Sequence, residues 1–389
     1  MNLKFSSAIL FLLLMFNVNA QVSHSTNKNK PDNEIKIDTV GHLKYTEAYN
    51  LEITGKIHQE ENYNRLPEKF QKIVSPKVWG LSKFPSGISV RFTTNSPIIT
   101  VYWKLNSSSG PPAMNRVGAS GVDLYCLVNG NWQYVNSALP AGNINTKVLI
   151  SDMDTSYKTF LLNLPLHDVV LNIQVGINEK YSISSPLEDN DKIKKPIVFY
   201  GTSITQGVGA SRPGMAYPSI ISRNIKAEVI NLGFSGNGRF ESSAGQILCD
   251  IDAELYVLDC TPNSSPDIIK KNTLKLIQQI RATKPETPIL LVESIIRENS
   301  YFKLTDELTH GGLKYVQAQN KELSRSFKAA EDLGIINLYY LESKDLIGSD
   351  HEATIDGTHL SDLGQYRIAE AIGAEITKIL NPKKKHRRK

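Results

Sequence analysis

The sequence has little cysteine. It contains Cys126, Cys249 and Cys260, and none of these lies in a Cys-x-x-Cys spacing. An odd number of cysteines excludes a fully paired disulfide framework. We therefore expect structural thiols, although a disulfide between Cys249 and Cys260 is conceivable in an oxidising compartment.

Long apolar runs are also lacking, apart from residues 8–16 near the start of the chain. That run follows Lys4 and precedes Val18-Asn19-Ala20, which together form the pattern of a secretory signal peptide. It is too short to span a bilayer comfortably, and no cysteine follows it as in a lipoprotein. We therefore expect residues 1–20 to be removed and the protein to be periplasmic or extracellular, without stable membrane insertion.

No excess of one charge sign runs through the chain. The formal net charge is +5, but six lysines and arginines lie within residues 383–389, and without them it becomes −1. The sequence shows no basic surface with interleaved stacking aromatics, the pattern typical of nucleic-acid binding. We therefore expect no nucleic-acid partner, and a solvated basic tail over residues 381–389.

The length of the remaining chain predicts two domains, since one domain commonly holds about 100–200 residues. Residues 21–38 are polar and form a predicted flexible leader. Residues 39–193 contain short alternating segments separated by Pro, Gly and Asn, which predict an antiparallel, jelly-roll-like β-sandwich. Residues 194–380 alternate apolar runs with helix-length segments, which predict an α/β domain with a parallel sheet covered by helices on both faces.

Ser203 lies in the segment Gly201-Thr202-Ser203-Ile204, directly after the first predicted parallel strand. Ligands bind at the carboxyl ends of such strands, and a serine at a strand-to-helix turn can present its hydroxyl there. Taken alone, the segment is explained equally well as a helix-capping turn. Phosphate binding is less favoured because the Walker lysine is missing.

Asp356-Gly357-Thr358-His359 precedes the last predicted helix. Hydrolysis by serine needs an imidazole to take the hydroxyl proton and a carboxylate to orient that imidazole. Three residues of separation across a loop let one local segment supply both groups. A helix cap beside an ordinary surface histidine is the alternative, and His310 is a conceivable alternative base.

Two further turns follow the second and third predicted parallel strands. Gly236 can offer a backbone N–H and Asn263 a side-chain amide to an oxyanion, whose stabilisation requires preorganised donors. Separately, both are ordinary turns, because Gly and Asn are common wherever φ is positive.

In this order, the four segments resemble the four blocks of the SGNH/GDSL hydrolase family over roughly residues 196–380. The resemblance implies a three-layer, flavodoxin-like α/β/α fold, with Ser203 as nucleophile, His359 as base and Asp356 behind it. It also implies an oxyanion hole formed by the N–H groups of Ser203 and Gly236 and the side chain of Asn263.

Two departures from the family pattern stand out. Thr202 replaces the aspartate of the family name, and the third block reads Cys260-Thr261-Pro262-Asn263 rather than Gly-x-Asn-Asp. Neither removes a group that the chemistry needs. Residues 121–125 and 79–87 resemble the branch whose N-terminal sandwich carries a GxDLY signature, which extends the resemblance over nearly the whole mature chain.

The resemblance implies a secreted serine esterase that removes O-acetyl groups from polysaccharides or oligosaccharides and needs no metal or organic cofactor. An acylated carbohydrate or another small ester is the expected partner, and the oligomeric state stays open. A lipase, thioesterase or phospholipid-type acetylhydrolase with the same triad is one alternative. A glycan-binding protein with a catalytically silent domain is the other.

Other side chains lend themselves to less specific interpretations. Arg297 and Glu298 follow the fourth predicted parallel strand and border the expected pocket. The run 350–352, Asp-His-Glu, suggests a metal, but no matching ligand set accompanies it, which favours a solvated loop. Sandwich aromatics form either a sugar-stacking surface or, as we prefer, part of the core; they are Tyr102, Trp103, Trp132 and Tyr134.

Overall fold

The computed structural model describes residues 42–187, 193–303, 309–344 and 346–381. The predicted signal peptide, the predicted leader and residues 382–389 of the predicted tail lie outside these ranges. Across the described ranges, no helix combines the length and the apolar character needed to cross a bilayer.

The first described range, residues 42–187, forms two antiparallel sheets that pack face to face. One sheet has the strand order β1-β9-β4-β7, and the other has the order β10-β3-β8-β5-β6 with β2 paired to β3. The strands are β1 (Leu43–Glu47), β2 (Glu52–Thr54), β3 (Ser89–Thr94), β4 (Ile99–Leu105), β5 (Val122–Val128), β6 (Asn131–Ala138), β7 (Ile144–Ile150), β8 (Lys158–Asn163), β9 (Val170–Asn178) and β10 (Ile183–Ser184). Two short helices, α1 (Pro76–Ser82) and α2 (Arg116–Ser120), interrupt them.

The core of this sandwich lies between its two sheets. Successive side chains of a strand point to opposite faces, so residues two apart share one face. Val90 and Phe92 of β3 accordingly pack in one buried cluster with Val101 and Trp103 of β4. The predicted antiparallel β-sandwich is confirmed.

The remaining described residues form a five-stranded parallel sheet with the order β12-β11-β13-β14-β15. Its strands are β11 (Ile193–Gly201), β12 (Ala227–Gly233), β13 (Leu255–Asp259), β14 (Ile289–Val292) and β15 (Leu338–Leu341). Its helices are α3 (Ser203–Gln206), α4 (Tyr217–Ile225), α5 (Ser242–Asp250), α6 (Pro266–Thr283), α7 (Leu313–Asp332) and α8 (Asp362–Leu380).

Helices cover both faces of this sheet. On β11, Ile197 and Phe199 pack in a cluster with α4 and α8, whereas Val198 and Tyr200 pack with α5, α6 and α7. The strand order is that of flavodoxin-like sheets, in which ligands bind where the chain switches direction, beyond the ends of the first and third strands. The predicted three-layer α/β/α fold is therefore confirmed, and β11 and β13 flank its switch point.

The aspartate of the GxDLY segment joins the sandwich to the α/β part. Asp123 of β5 is fully buried and accepts hydrogen bonds from Asn163 Nδ2 (2.7 Å), Arg212 Nη1 (2.9 Å) and the backbone N–H of Gly214 (2.8 Å). The guanidinium of Arg212 also lies over the ring of Tyr125, the tyrosine of the same segment. These contacts fix the chain between α3 and α4 against the sandwich.

Arg65 makes a second connection from the loop between β2 and β3. Its side chain is 1 % exposed and donates to four backbone carbonyls, those of Leu81, Phe84, Asn231 and Gly233. Asn231 and Gly233 belong to β12, so one buried cation ties this loop to the parallel sheet. A buried charge is tolerated because hydrogen bonds satisfy it.

We predict that Arg65→Met destabilises the fold strongly, because buried carbonyls of the loop and of β12 would lose the donor that Arg65 supplies. Each such group costs about 1–3 kcal/mol, so the free energy of unfolding should fall by more than about 3 kcal/mol in urea titrations. The matched control is Lys69→Met, which removes an exposed cation paired with Asp250 at 2.6 Å and should change stability by less than about 1 kcal/mol. Equal stability of the two variants would contradict the role given to Arg65.

Candidate active site

Ser203 begins a four-residue helix directly after β11. Thr202 is extended (φ −103°, ψ −160°), and its Oγ1 accepts a hydrogen bond from the N–H of Ile204 at 3.3 Å. In return, Thr205 Oγ1 accepts from the N–H of Thr202 at 3.2 Å, which completes a capping box. The helix-capping explanation of this segment is therefore true as well, and the cap places Ser203 at the strand end, where it is 7 % exposed.

Asp259, the last residue of β13, holds this helix from behind. Its Oδ2 accepts hydrogen bonds from Thr205 Oγ1 and from the hydroxyl of Tyr217, both at 2.9 Å. Burial raises the pKa of Asp259 to about 7, although the hydrogen bonds from Thr205 and Tyr217 act in the opposite direction. This buried carboxyl ties the helix that carries Ser203 to the third strand of the parallel sheet.

The structure brings His359 and Asp356 to Ser203 in one chain of hydrogen bonds. Nε2 of His359 lies 3.1 Å from Oγ of Ser203, and Nδ1 lies 2.7 Å from Oδ2 of Asp356. An ionised carboxylate only accepts, so in the neutral imidazole Nδ1 carries the proton and Nε2 accepts from the Ser203 hydroxyl. This arrangement can take up a proton from the serine.

The loop that carries both groups is closed locally. Thr354 and Leu360 form an isolated antiparallel bridge, and Gly357 at the tip has a positive φ of 83° that favours glycine. Inside the loop, Oδ1 of Asp356 accepts from the N–H groups of Thr358 (3.0 Å) and His359 (2.7 Å). The three-residue separation thus places the carboxylate against both the backbone and the ring of His359.

The pKa of Asp356 reflects these bonds. Partial burial alone would raise it, but the hydrogen bonds from the ring and backbone of His359 and the backbone of Thr358 outweigh burial and lower it. Asp356 is therefore ionised at neutral pH and can stabilise an imidazolium at His359.

Gly236 and Asn263 lie in the turns after β12 and β13, at the carboxyl edge that also carries Ser203. Gly236 is exposed and has a φ of 70°. Asn263 Nδ2 donates to the carbonyl of Asn237 at 2.7 Å, which fixes the amide plane. A side-chain amide has two N–H donors, so the second remains for a ligand.

Comparison with known proteins identifies the family. Residues 194–377 match the GDSL-like lipase/acylhydrolase family, and residues 43–183 match a model described as the N-terminus of SGNH-hydro-type esterases. A solved structure from Bacteroides ovatus ATCC 8483, assigned as a GDSL-like lipase, is 35 % identical and covers 87 % of this chain and 98 % of its own, with a TM-score of 0.82. The chain belongs to the GDSL-like lipase/acylhydrolase family. This acylhydrolase is a carboxylic ester hydrolase.

More distant structures share the fold of this acylhydrolase. The salicylyl-acyltransferase SsfX3 of a tetracycline biosynthetic pathway is 17 % identical, covers 87 % of this chain and 97 % of its own, and has a TM-score of 0.69. A family two carbohydrate esterase from Clostridium thermocellum is 15 % identical, covers 76 % and 93 %, and has a TM-score of 0.54. No curated protein matches the acylhydrolase significantly.

The two departures from the family pattern have structural roles in this acylhydrolase. Thr202 caps α3, a position that aspartate also favours. The thiol of Cys260 is buried, which raises its pKa, and it donates to the carbonyl of Tyr200 at 3.4 Å. Cys126 and Cys249 are likewise unpaired, so the conceivable Cys249–Cys260 disulfide is not formed.

The residues of the acylhydrolase that were considered as an alternative base or as metal ligands make other contacts. The ring of His310 packs 5.0 Å from that of Tyr315, whereas His351 Nδ1 lies 2.7 Å from Glu298 Oε2. Asp350 pairs with Arg367 at 2.6 Å. Among the described residues, no group of three or more His, Cys, Asp or Glu side chains could hold a metal ion.

The sandwich aromatics divide between the core and the surface. Trp103 is fully buried and donates its ring N–H to the carbonyl of Ser120 at 3.1 Å. Tyr134 is 41 % exposed, and the guanidinium carbon of Arg212 lies 4.0 Å from the centroid of the Tyr134 ring. The preferred core interpretation therefore holds for Trp103, whereas Tyr134 contributes to the contact between the two parts of the chain.

His167 is a site neighbour that sequence reasoning missed. It lies in the sandwich loop between β8 and β9, is 8 % exposed, and its Nε2 is buried without a hydrogen-bond partner. Burial, reinforced by the nearby Arg65 and His359, lowers the pKa of His167 to about 3. The sandwich thus contributes a neutral imidazole close to His359, and no local motif around residue 167 signals it.

The carboxyl of Asp259 predicts a pH dependence of stability. Its folded pKa of about 7 lies above the value of about 3.9 in an unfolded chain, so the folded protein binds this proton more tightly. The resulting stabilisation is complete below about pH 4 and is lost as pH rises through about 7. The unfolding free energy of the wild type relative to Asp259→Asn should therefore decrease between pH 4.5 and 8.

Urea titrations at closely spaced pH values measure this difference. Asp252→Asn is the control, because Asp252 is exposed and a hydrogen bond from Lys195 lowers its pKa, away from this range. Its stability relative to wild type should stay constant from pH 4.5 to 8. A pH-independent difference for Asp259→Asn would show that Asp259 is ionised in the folded protein throughout.

Proposed function

We propose that this esterase hydrolyses O-acetyl groups on carbohydrates through an acyl-enzyme intermediate, with Ser203 as nucleophile. The observation that carries the proposal is the hydrogen-bonded chain from Ser203 through His359 to Asp356 at the switch point of the sheet. A nucleophile, a base and an orienting carboxylate in this geometry are the parts that serine hydrolysis requires.

The proposed reaction has two steps. His359 Nε2 takes the proton of Ser203 as Oγ attacks the ester carbonyl, and His359 then returns that proton to the departing alcohol oxygen. In the second step, water attacks the acyl group on Oγ and gives its proton to His359, which passes it to Ser203 as acetate leaves. Asp356 stays ionised throughout and stabilises the imidazolium.

The oxyanion formed in each step requires donors that are already in place. We assign this role to the N–H groups of Ser203 and Gly236 and to the side chain of Asn263. The hydrogen bond from Asn263 to the Asn237 carbonyl supports this assignment, because it orients the amide before substrate arrives. Such preorganised donors are worth about 3–4 kcal/mol each in the barrier.

The carbohydrate substrate is supported by structural neighbours. Besides the Clostridium thermocellum enzyme, they include a family two carbohydrate esterase from Cellvibrio japonicus and an acetyl xylan esterase from the rumen bacterium Butyrivibrio proteoclasticus. All three share the two-part architecture over most of their length, at 10–15 % identity. The acylated-sugar substrate is our extension from these proteins to this chain.

We predict that the purified protein releases acetate from acetylated xylan or oligosaccharides and that Ser203→Ala lowers kcat by about 10³-fold or more. Asp356→Asn should also lower kcat by about 10²- to 10⁴-fold, because the amide no longer holds the required tautomer of His359. Ser151→Ala, at an exposed sandwich loop, is the matched control and should retain wild-type rates.

The acyl preference separates this proposal from its alternatives. On p-nitrophenyl esters of increasing chain length, the proposal requires kcat/KM to be highest for acetate. A preference for long acyl chains would assign the protein to the lipases or thioesterases instead. Glycan binding without hydrolysis of any ester would identify a catalytically silent domain.

We also propose that the esterase acts outside the cytoplasm, on the basis of the signal-peptide pattern in residues 1–20. Expression with the native N-terminus in a bacterial host should yield a mature protein that begins at Gln21, as measured by intact mass. Leu13→Arg, within the apolar run, should block processing. An unprocessed chain confined to the cytoplasm would contradict this proposal.

A further inference from the structure

Four cationic side chains surround the two turns assigned to the oxyanion hole, and we call them the basic rim: Lys77, Arg239, Arg297 and Lys303. Two of them meet at Gly236. A Cβ built on Gly236 would lie 3.5 Å from Lys77 Nζ, and Arg239 Nη2 donates to the Gly236 carbonyl at 3.0 Å. Lys77 and Arg239 are exposed, so both are accessible to a ligand.

The other two cations of the basic rim lie together, and one of them contacts the residue before Asn263. Arg297 Nη2 donates to the carbonyl of Pro262, the preceding residue, at 2.6 Å. A Cβ built on Gly311 would lie 3.1 Å from Arg297 Nη1 and 3.0 Å from Lys303 Nζ, so both cations lie next to Gly311. The rim thus borders both proposed oxyanion donors.

Tyr315 of α7 connects the two halves of the basic rim. Burial raises the pKa of its hydroxyl, whereas the positive charges of Arg297 and Arg239 act to lower it. Both arginines therefore lie within electrostatic range of one hydroxyl. The two turns also meet directly, because Asn263 Nδ2 donates to the carbonyl of Asn237, the residue after Gly236.

The charge of the basic rim is not balanced within the described part of the chain. None of the four side chains forms an ion pair there, and the side-chain hydrogen bonds of the three that make them go to backbone carbonyls. Arg297 Nε is also buried without a hydrogen-bond partner. Two carboxylates lie nearby: Glu241 accepts from the Tyr200 hydroxyl and from the backbone N–H of Arg239, and Asp267 acts electrostatically on Tyr315.

Two exposed or partly exposed arginines outside the rim have acidic partners. Arg367 pairs with Asp350, and Arg325 pairs with Glu322. Like charges that lie together repel one another, and an arriving anion relieves that repulsion. The exposed guanidinium group of Arg239 presents donors that match a carboxylate.

We propose that the basic rim binds a carboxylate on the substrate, which makes the preferred substrate an acylated acidic sugar. This inference rests on the proposed esterase function and adds the charge of the sugar to it. The rim takes no part in bond making. It acts by holding the anionic ester next to Ser203, so its effect falls mainly on KM.

The test compares two substrates that differ in one charge: an O-acetylated uronic acid glycoside and the corresponding uronamide. The wild type should hydrolyse the acid with a kcat/KM about 10-fold higher or more at low ionic strength, and added NaCl should reduce this preference. Arg239→Gln and Lys77→Gln, at exposed positions, should each lower the acid-to-amide ratio several-fold, chiefly through KM. Arg325→Gln, an exposed arginine of α7, is the matched control and should leave the ratio at its wild-type value.

Equal kcat/KM values of the wild type for acid and amide would overturn the inference. So would rim variants that lower both rates in proportion, because the cations would then stabilise the oxyanion of any ester. Binding of the same two glycosides to Ser203→Ala, measured by calorimetry, tests the rim without catalysis and should favour the acid. Absence of hydrolysis together with tighter binding of the acid would refute the esterase proposal and retain the rim, whereas equal binding would refute the rim.

Discussion

The geometry of the site depends on how closely α3 packs against the ends of three strands. A Cβ on Gly201 would lie 2.8 Å from the carbonyl oxygen of Asp259 and would overlap the side chain of Thr205. A Cβ on Gly233 would overlap the backbone nitrogen of Gln206. Real side chains do not tolerate such contacts, so glycine at these two positions lets the helix lie directly on the strand ends. That close contact sets where the Ser203 hydroxyl stands relative to the turns after β12 and β13.

The sequence predicted the features that depend on local patterns. Alternation along the strands predicted the sandwich, and the rhythm of apolar runs predicted the parallel sheet. The proximity of Asp356 and His359 could also be predicted from their spacing in the sequence, because one closed loop positions both. Contacts between distant segments could not be predicted from local patterns. Leu66 and Phe70 lie in the region assigned to the sandwich, yet they pack with the α5–α7 face of the parallel sheet. Nothing in their neighbours' spacing indicates which core they join.

The GxDLY segment illustrates how a motif can have a mechanical role without a chemical one. Asp123 is buried and satisfied by three donors, two of which, Arg212 and Gly214, follow α3 in the chain. In the loop between β8 and β9, the carbonyl of Leu166 accepts a hydrogen bond from Nε2 of Gln206, the last residue of α3, at 3.1 Å. The sandwich therefore holds both sides of the segment that begins with Ser203. Removal of the Asp123 carboxylate would take away the acidic partner of Arg212. Asp123 therefore couples the two parts even though it lies outside the hydrogen-bonded chain of the site.

The residues proposed to carry out the chemistry and the cations proposed to select the substrate are held by different kinds of contact. Ser203, His359 and Asp356 are held by backbone donors and by buried side chains, so their arrangement exists before any ligand arrives. Within the described ranges, the side chains of Arg239 and Arg297 are bonded to backbone carbonyls and not to carboxylates. Under the proposed roles, changes among those cations alter which ester is bound while the proton-transfer chain stays intact. A fold that anchors its reactive groups through glycine contacts and a buried carboxyl can therefore vary its specificity at the surface without rebuilding its centre.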